Sequence, residues 1–307
     1  MNMNLAKQKR LAVACLLTTS LVWGLMWLPI RALQAGGVGN WTTSLCIYLV
    51  ATSLGLALFW RTYREKFRFS LSLLPLLFAF GWCNFSYGWA LTEGPVVRVL
   101  LFFYLSPLWT ALFARVLLGE RLTRTGYGVV ALSLAGALAI LWRPGVFAGE
   151  MPLSHLYEWL ALSGGMAFSL GNVLSRRSTH LPLPVKSATI WLGVAIFAAG
   201  ALSLKGELGS VLEVPPLGWA VIGALGVTLL CTSVLSQHGV SLLPASQVTA
   251  LMLSELVFAA ASAWLMAGEP VRGNEWLGGA LIIVASLFSG RMSRPARQEA
   301  APRTTAQ

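Results

Sequence analysis

Long apolar runs recur along this chain from end to end, and nothing else in it constrains the fold as strongly. A run of roughly 18 or more residues with few charges matches the hydrocarbon thickness of a bilayer. Ten are read, at about 11–33, 41–60, 71–91, 97–118, 125–142, 156–175, 186–204, 215–238, 246–267 and 273–290. Hydrocarbon offers backbone N–H and C=O groups no partner, so each run is expected to be a helix. The connections are too short to hold a further domain. The expected fold class is therefore an all-α membrane protein of ten transmembrane helices. Composition agrees: 11% of residues are charged, against about 25% in soluble domains.

Charge placement sets an expected orientation. Of 22 Lys and Arg, sixteen fall on one side: Lys7, Lys9, Arg10, Arg61, Arg64, Lys66, Arg68, Arg121, Arg124, Arg176, Arg177, Lys186, Arg291, Arg294, Arg297 and Arg303. Five fall on the other, Arg31, Arg98, Arg143, Lys205 and Arg272, with Arg115 inside the fourth run. Both termini are expected in the cytoplasm, as a tail over 1–10 and a disordered tail over 291–307. The basic start resembles a secretory signal, but its apolar run continues to Leu33, too long for one. The net charge of +11 is spread over short loops, which argues against a nucleic-acid partner.

An internal repeat organises the runs. An offset of 149 residues carries Pro95 to Pro244, Val99 to Val248, Ala111 to Ala260, Ala114 to Ala263 and Gly119-Glu120 to Gly268-Glu269. The chain reads as two five-helix halves, 11–142 and 156–290. Five is odd, so the second half enters the membrane from the opposite side. Inverted halves are the architecture of many secondary transporters, with the substrate near the midplane between them.

Other classes fare poorly. Every acidic residue is Glu, so chemistry needing Asp is excluded. No phosphate-binding G-x-x-x-x-G-K-[ST] loop is present. Three histidines and the apolar-run cysteines Cys15, Cys46, Cys83 and Cys231 form no metal or disulfide spacing. No catalytic residue, metal or cofactor is expected. A membrane-embedded enzyme would need a convergent nucleophile and base that this chain does not display. A nucleotide-sugar-type exchanger would need basic residues deep in the spans, and these lie mainly near span ends.

Polar and aromatic residues inside the runs are the candidate substrate contacts. Glu255 is the sharpest, because a carboxylate at membrane depth faces protein or water. It can meet a substrate amine, carry a coupling proton, or bond a neighbouring helix. Asn84, Tyr87, Gly88 and Leu91 share one helical face, which either lines a cavity or joins helices. Trp23 and Trp27, one turn apart, can form an aromatic wall. Phe168 and Asn172, and Ser233, Gln237 and His238, are further candidates. Pro107 is expected to bend the fourth run at the Phe103 carbonyl, leaving Tyr104 at mid-depth. Arg98 and Arg115 are expected to snorkel to the interfaces.

Several of these residues carry a family resemblance: Trp23-Gly24, Pro95, Ser106-Pro107 and the Gly-Glu endings at 119–120 and 268–269. They resemble the drug/metabolite transporter superfamily, specifically its EamA-type ten-span exporters. Ser254-Glu255 looks like the family's Glu-Pro pair, with Leu256 in the proline position. The run Tyr104-Leu105-Ser106-Pro107 is similar to the aromatic amino-acid exporter branch, the YddG-like proteins. The resemblance implies an inner-membrane exporter of small metabolites, amino acids foremost and aromatic or hydrophobic ones especially. Other metabolites or drugs are the alternative. It also implies alternating access around a cavity lined by spans one, three, four, six, eight and nine. The family's use of Glu with varied substrates implies a conformational role for Glu255. The expected partners are a small-molecule substrate and the lipid bilayer, and a monomer suffices.

Overall fold

The computed structural model describes residues 2–67, 70–119, 121–141, 153–178, 181–242, 251–252, 254–288 and 293–294. The first half holds α1 (Asn2–Leu25), α2 (Trp27–Ala35), α3 (Asn40–Leu58), α4 (Trp60–Lys66), α5 (Leu73–Glu93), α6 (Val96–Phe103), α7 (Ser106–Leu118) and α8 (Arg124–Leu141). The second holds α9 (Leu156–Arg177), α10 (Leu183–Lys205), a 3-10 turn (Leu208–Val211), α11 (Pro216–Leu242), α12 (Ser254–Ala267) and α13 (Gly273–Phe288). The protein is thus all-helical apart from one two-residue antiparallel ladder, Arg121–Leu122 against Ser293–Arg294. Among the described residues, five helical segments are long and apolar enough to cross a membrane: Lys7–Ala35, Asn40–Leu58, Val96–Leu118, Leu183–Lys205 and Pro216–Ser236.

The helices outnumber the expected spans because two runs are broken and one connection is helical. The first breaks at Met26, and Pro29 falls in the first turn of α2. The fourth breaks at Tyr104-Leu105, and Pro107 falls in the first turn of α7. Proline lacks an N–H and clashes with the carbonyl four residues back, so it is tolerated in a first turn and not in a helix interior. The expected bend at Pro107 is instead a full stop and restart just upstream. The break is supported from outside: Ser169 Oγ donates to the Ser106 carbonyl at 2.8 Å. A Cβ on Gly165 would overlap the Phe103 carbonyl oxygen, so glycine is what lets α9 approach the break.

The expected N-terminal tail also differs, since α1 begins at Asn2 and runs through Lys7, Lys9 and Arg10. Part of the expected C-terminal tail is ordered, because Ser293–Arg294 closes the ladder. Residues 295–307, Glu120, Pro244 and Val248 lie outside the described residues. Both repeat glycines take left-handed φ, +66° at Gly119 and +64° at Gly268, each just past a helix end. Glycine adopts this conformation at no Cβ cost.

Packing follows pairs of helices. Contacts join α1 to α11 and α12, α3 to α10 and α11, α5 to α9 and α10, α7 to α9, and α8 to α13. These pairings are unchanged when α1, α3, α5, α6/α7 and α8 are exchanged with α9, α10, α11, α12 and α13, respectively. One core cluster gathers Leu100, Leu101, Phe102, Leu256 and Ala259, and a second gathers Ile47, Ala51, Trp191 and Ile222. Large apolar side chains such as Val116, Leu138, Trp264 and Leu265 are exposed. Such a surface is what lipid contact requires.

Candidate functional site

A small cavity opens where the break at Met26 meets α3 and α5. Trp23, Met26 and Ile30 form one wall, and Thr43, Ser44, Ile47 and Tyr48 of α3 form the second. Asn84, Tyr87, Gly88 and Leu91 of α5 form the third, and Leu229 of α11 closes it. The α5 residues are the face that helical spacing marked out. The centre of a water molecule can explore about 30 Å³ of it, space for about two waters and not for a metabolite.

Its polar groups are unevenly satisfied. Tyr48 Oη donates to Asn84 Oδ1 at 3.3 Å, and Asn84 Nδ2 donates to the Phe80 carbonyl at 2.9 Å. Thr43 is only 2% exposed, yet its hydroxyl has no hydrogen-bond partner. Among the described residues, no Lys, Arg, His or Glu lines the cavity. The wall from α3, with Thr43, Ser44 and Tyr48, was not singled out in the sequence. The signal was a cluster of three hydroxyls one turn before a tyrosine.

Behind the cavity lies Glu255, in the first turn of α12. Tyr104 Oη donates to Glu255 Oε2 at 3.0 Å, and Tyr87 lies near the same carboxylate. Tyr87 therefore belongs both to the cavity and to the Glu255 cluster. Gly24 brings the end of α1 against this turn: a Cβ there would lie 2.9 Å from the Glu255 carbonyl oxygen.

Two ionic clusters complete the region, and neither was visible in the sequence. Arg31 in α2 pairs with Glu269 at 2.7 Å and donates to the Leu91 and Gly94 carbonyls at 2.9 and 2.6 Å. The other Glu269 oxygen accepts the Val96 N–H at 2.7 Å, capping α6. One ion pair thus ties together α2, the end of α5, the start of α6 and the residues after α12. Arg98 does not snorkel as expected. It is buried, with Nε at 2.7 Å from Glu158 and Nη1 at 3.5 Å from Glu275. These carboxylates also accept the N–H groups of His155 and Arg272 at the starts of α9 and α13. They have to sit inside, and the guanidinium is drawn in to meet them.

The remaining candidates do not converge on the cavity. Trp27 is turned away from Trp23 by the break; it is buried, its Nε1 donates to Ser262 Oγ at 3.0 Å, and Arg31 lies over its ring. The pair therefore forms no common wall. Phe168 packs on Phe80 and Phe103, and Asn172 lies one turn beyond it on α9, away from the cavity. Ser233 is one turn past Leu229 on α11, and His238 is exposed. The side chain of Gln237 lies outside the described residues. Among the described residues, none from spans four, six and nine lines the cavity, whereas Thr43, Ser44, Ile47 and Tyr48 of span two do.

A helical membrane protein with a small cavity beside an interrupted first span is of a kind common among transporter folds. The EamA-like transporter family matches it twice, over residues 10–142 and 155–291. The chain belongs to that family, within the drug/metabolite transporter superfamily. An uncharacterized transporter of Pseudomonas aeruginosa is 26% identical over 184 residues, covering 57% of this chain and 58% of that protein. A riboflavin transporter of Rhizobium johnstonii is 28% identical over 202 residues, covering 63% of this chain and 61% of that protein. The matches thus span about three fifths of these curated relatives. A solved protein crystal structure shares the fold with a TM-score of 0.58 at 21% identity, covering 90% of this chain and 95% of that one.

Proposed function

We propose that the protein is a secondary transporter that exports small organic metabolites across a bacterial inner membrane, with both termini in the cytoplasm. Ten crossings form two inverted halves, and alternating access exposes the cavity to each side in turn. The observation that carries this reading is the small, mainly apolar cavity with hydroxyl and carboxamide groups set into it near Glu255, where the broken first span meets α3, α5 and α11. The exchange symmetry of the helix pairings supports the two halves, as does the double family match.

Aromatic and hydrophobic amino acids are the substrates that the resemblance implies. Trp23 and Tyr87 supply flat apolar faces for the body of such a molecule. Glu255 supplies a carboxylate for its ammonium group. The test is counterflow in proteoliposomes with labelled amino acids and riboflavin at several pH values. Saturable accumulation of an aromatic or hydrophobic amino acid is expected. Accumulation of another metabolite class alone overturns the substrate, and no accumulation of any compound overturns transport.

A further inference from the structure

We propose that the cavity contains a subsite for the uncharged, hydrogen-bonding edge of a flat substrate, formed by Thr43, Ser44 and Asn84 against Trp23 and Tyr87. This rests on reading the cavity as the substrate site. Thr43 carries the inference. A buried hydroxyl without a partner is costly, and this one borders a cavity at 2% exposure. Helical threonines commonly return the hydroxyl proton to the carbonyl four residues back. Thr52, Thr189 and Thr228 do so here at 2.7 to 2.8 Å, and Thr43 does not. Its hydroxyl is buried and unpartnered in a residue that borders the cavity, so a small opening of the cavity exposes it to an occupant.

Asn84 is held in place by Tyr48 and the Phe80 carbonyl, which together use one oxygen lone pair and one amide hydrogen. A carboxamide offers two of each. A donor–acceptor pair on this wall matches an amide or imide edge, and the rings of Trp23 and Tyr87 match the flat body that bears it.

Charge placement sets what the subsite refuses. Among the described residues, no cation lines the cavity. The Arg31 guanidinium holds the carbonyl of the lining residue Leu91 but is neutralised by Glu269 at 2.7 Å. On the other side, Tyr87 leads to the carboxylate of Glu255. A carboxylate or phosphate entering here loses water without gaining a counter-charge, which is strongly unfavourable. The selected chemistry at this wall is a planar group with neutral polar edges; an anionic group placed against it is rejected, so the carboxylate of an amino acid has to lie away from Thr43 and Asn84.

A matched pair of probes tests this: N-acetyltryptophanamide, which is neutral, and N-acetyltryptophan, which is anionic at pH 7. Both carry the same ring and differ at one end. Binding of each labelled probe to the purified full chain is measured by equilibrium dialysis, for wild type and for Thr43→Val. The amide is expected to bind at least tenfold more tightly than the acid. Thr43→Val is expected to weaken amide binding about tenfold, one lost hydrogen bond, while its melting temperature stays equal or rises. Equal or tighter binding of the acid overturns the neutral subsite while leaving transport intact. So does amide binding that Thr43→Val leaves unchanged, which marks Thr43 as a packing defect, or no binding of either probe. Counterflow of other metabolites judges the transport reading separately.

Discussion

Tyr104 donates its phenolic proton to Glu255 at 3.0 Å, joining the break between α6 and α7 to the first turn of α12. Tyr87 brings the same carboxylate into contact with the cavity wall. If this junction links cavity to conformation, Tyr104→Phe and Glu255→Gln remove one shared interaction. Each is expected to slow counterflow, and the double variant to be no slower than the slower single one. A hydrogen bond to a carboxylate contributes about 1.5–3 kcal/mol, so a coupling near that size is expected in a double-mutant cycle of thermal stability. Additive losses would show that the two residues act separately.

The Arg98 cluster makes an asymmetric prediction. One guanidinium meets two buried carboxylates. Arg98→Met leaves both without a cation, a loss of about 3–5 kcal/mol, measured as poor yield and a lowered melting temperature in detergent. Glu275→Gln removes the more distant carboxylate but keeps an oxygen for the Arg272 N–H. It is expected to melt at or above wild type.

Arg31 and Glu269 close a knot that involves four helices. Arg31→Ala removes the donor to the Leu91 and Gly94 carbonyls and the cation beside Glu269, and is expected to cost about 2 kcal/mol. Glu269→Gln keeps an acceptor for the Val96 N–H and is expected to cost less than half as much. Thermal unfolding of the two variants in one detergent checks the order.

Close helix approaches predict opposite outcomes for one chemical change. Gly165→Ala places a methyl group on the Phe103 carbonyl, which cannot move away without closing the break. A loss of about 1–3 kcal/mol is expected from overpacking. Gly200→Ala, in α10 with nothing near its Cβ position, is expected to gain up to about 1 kcal/mol through helix propensity. Melting temperatures that move the same way would contradict this packing.

The helical membrane fold was legible because a bilayer fixes both the length and the polarity of what crosses it. The α5 face was legible for a similar reason: Asn84, Tyr87, Gly88 and Leu91 recur at helical spacing whatever packs against them. The break at Met26 was missed because Pro29 sits inside an apolar run, and its effect falls a turn upstream. That break is what separates Trp23 from Trp27. Arg98 was misread because Glu158 and Glu275 are 60 and 177 residues away in sequence, so a span read alone shows only an unpaired charge near its end. Thr43 was invisible because a threonine in an apolar helix normally bonds its own backbone. Only the cavity shows that this one does not.

The most direct test of alternating access is the labelling of Ser44→Cys by a membrane-impermeant thiol reagent added from one side or the other. The background replaces Cys15, Cys46, Cys83 and Cys231 with alanine, and orientation in the vesicles is fixed. The predicted result is modification from either side, with both rates reduced by a transported substrate. Modification from one side only, under every substrate and pH condition, would contradict a cavity that opens to each face of the membrane in turn.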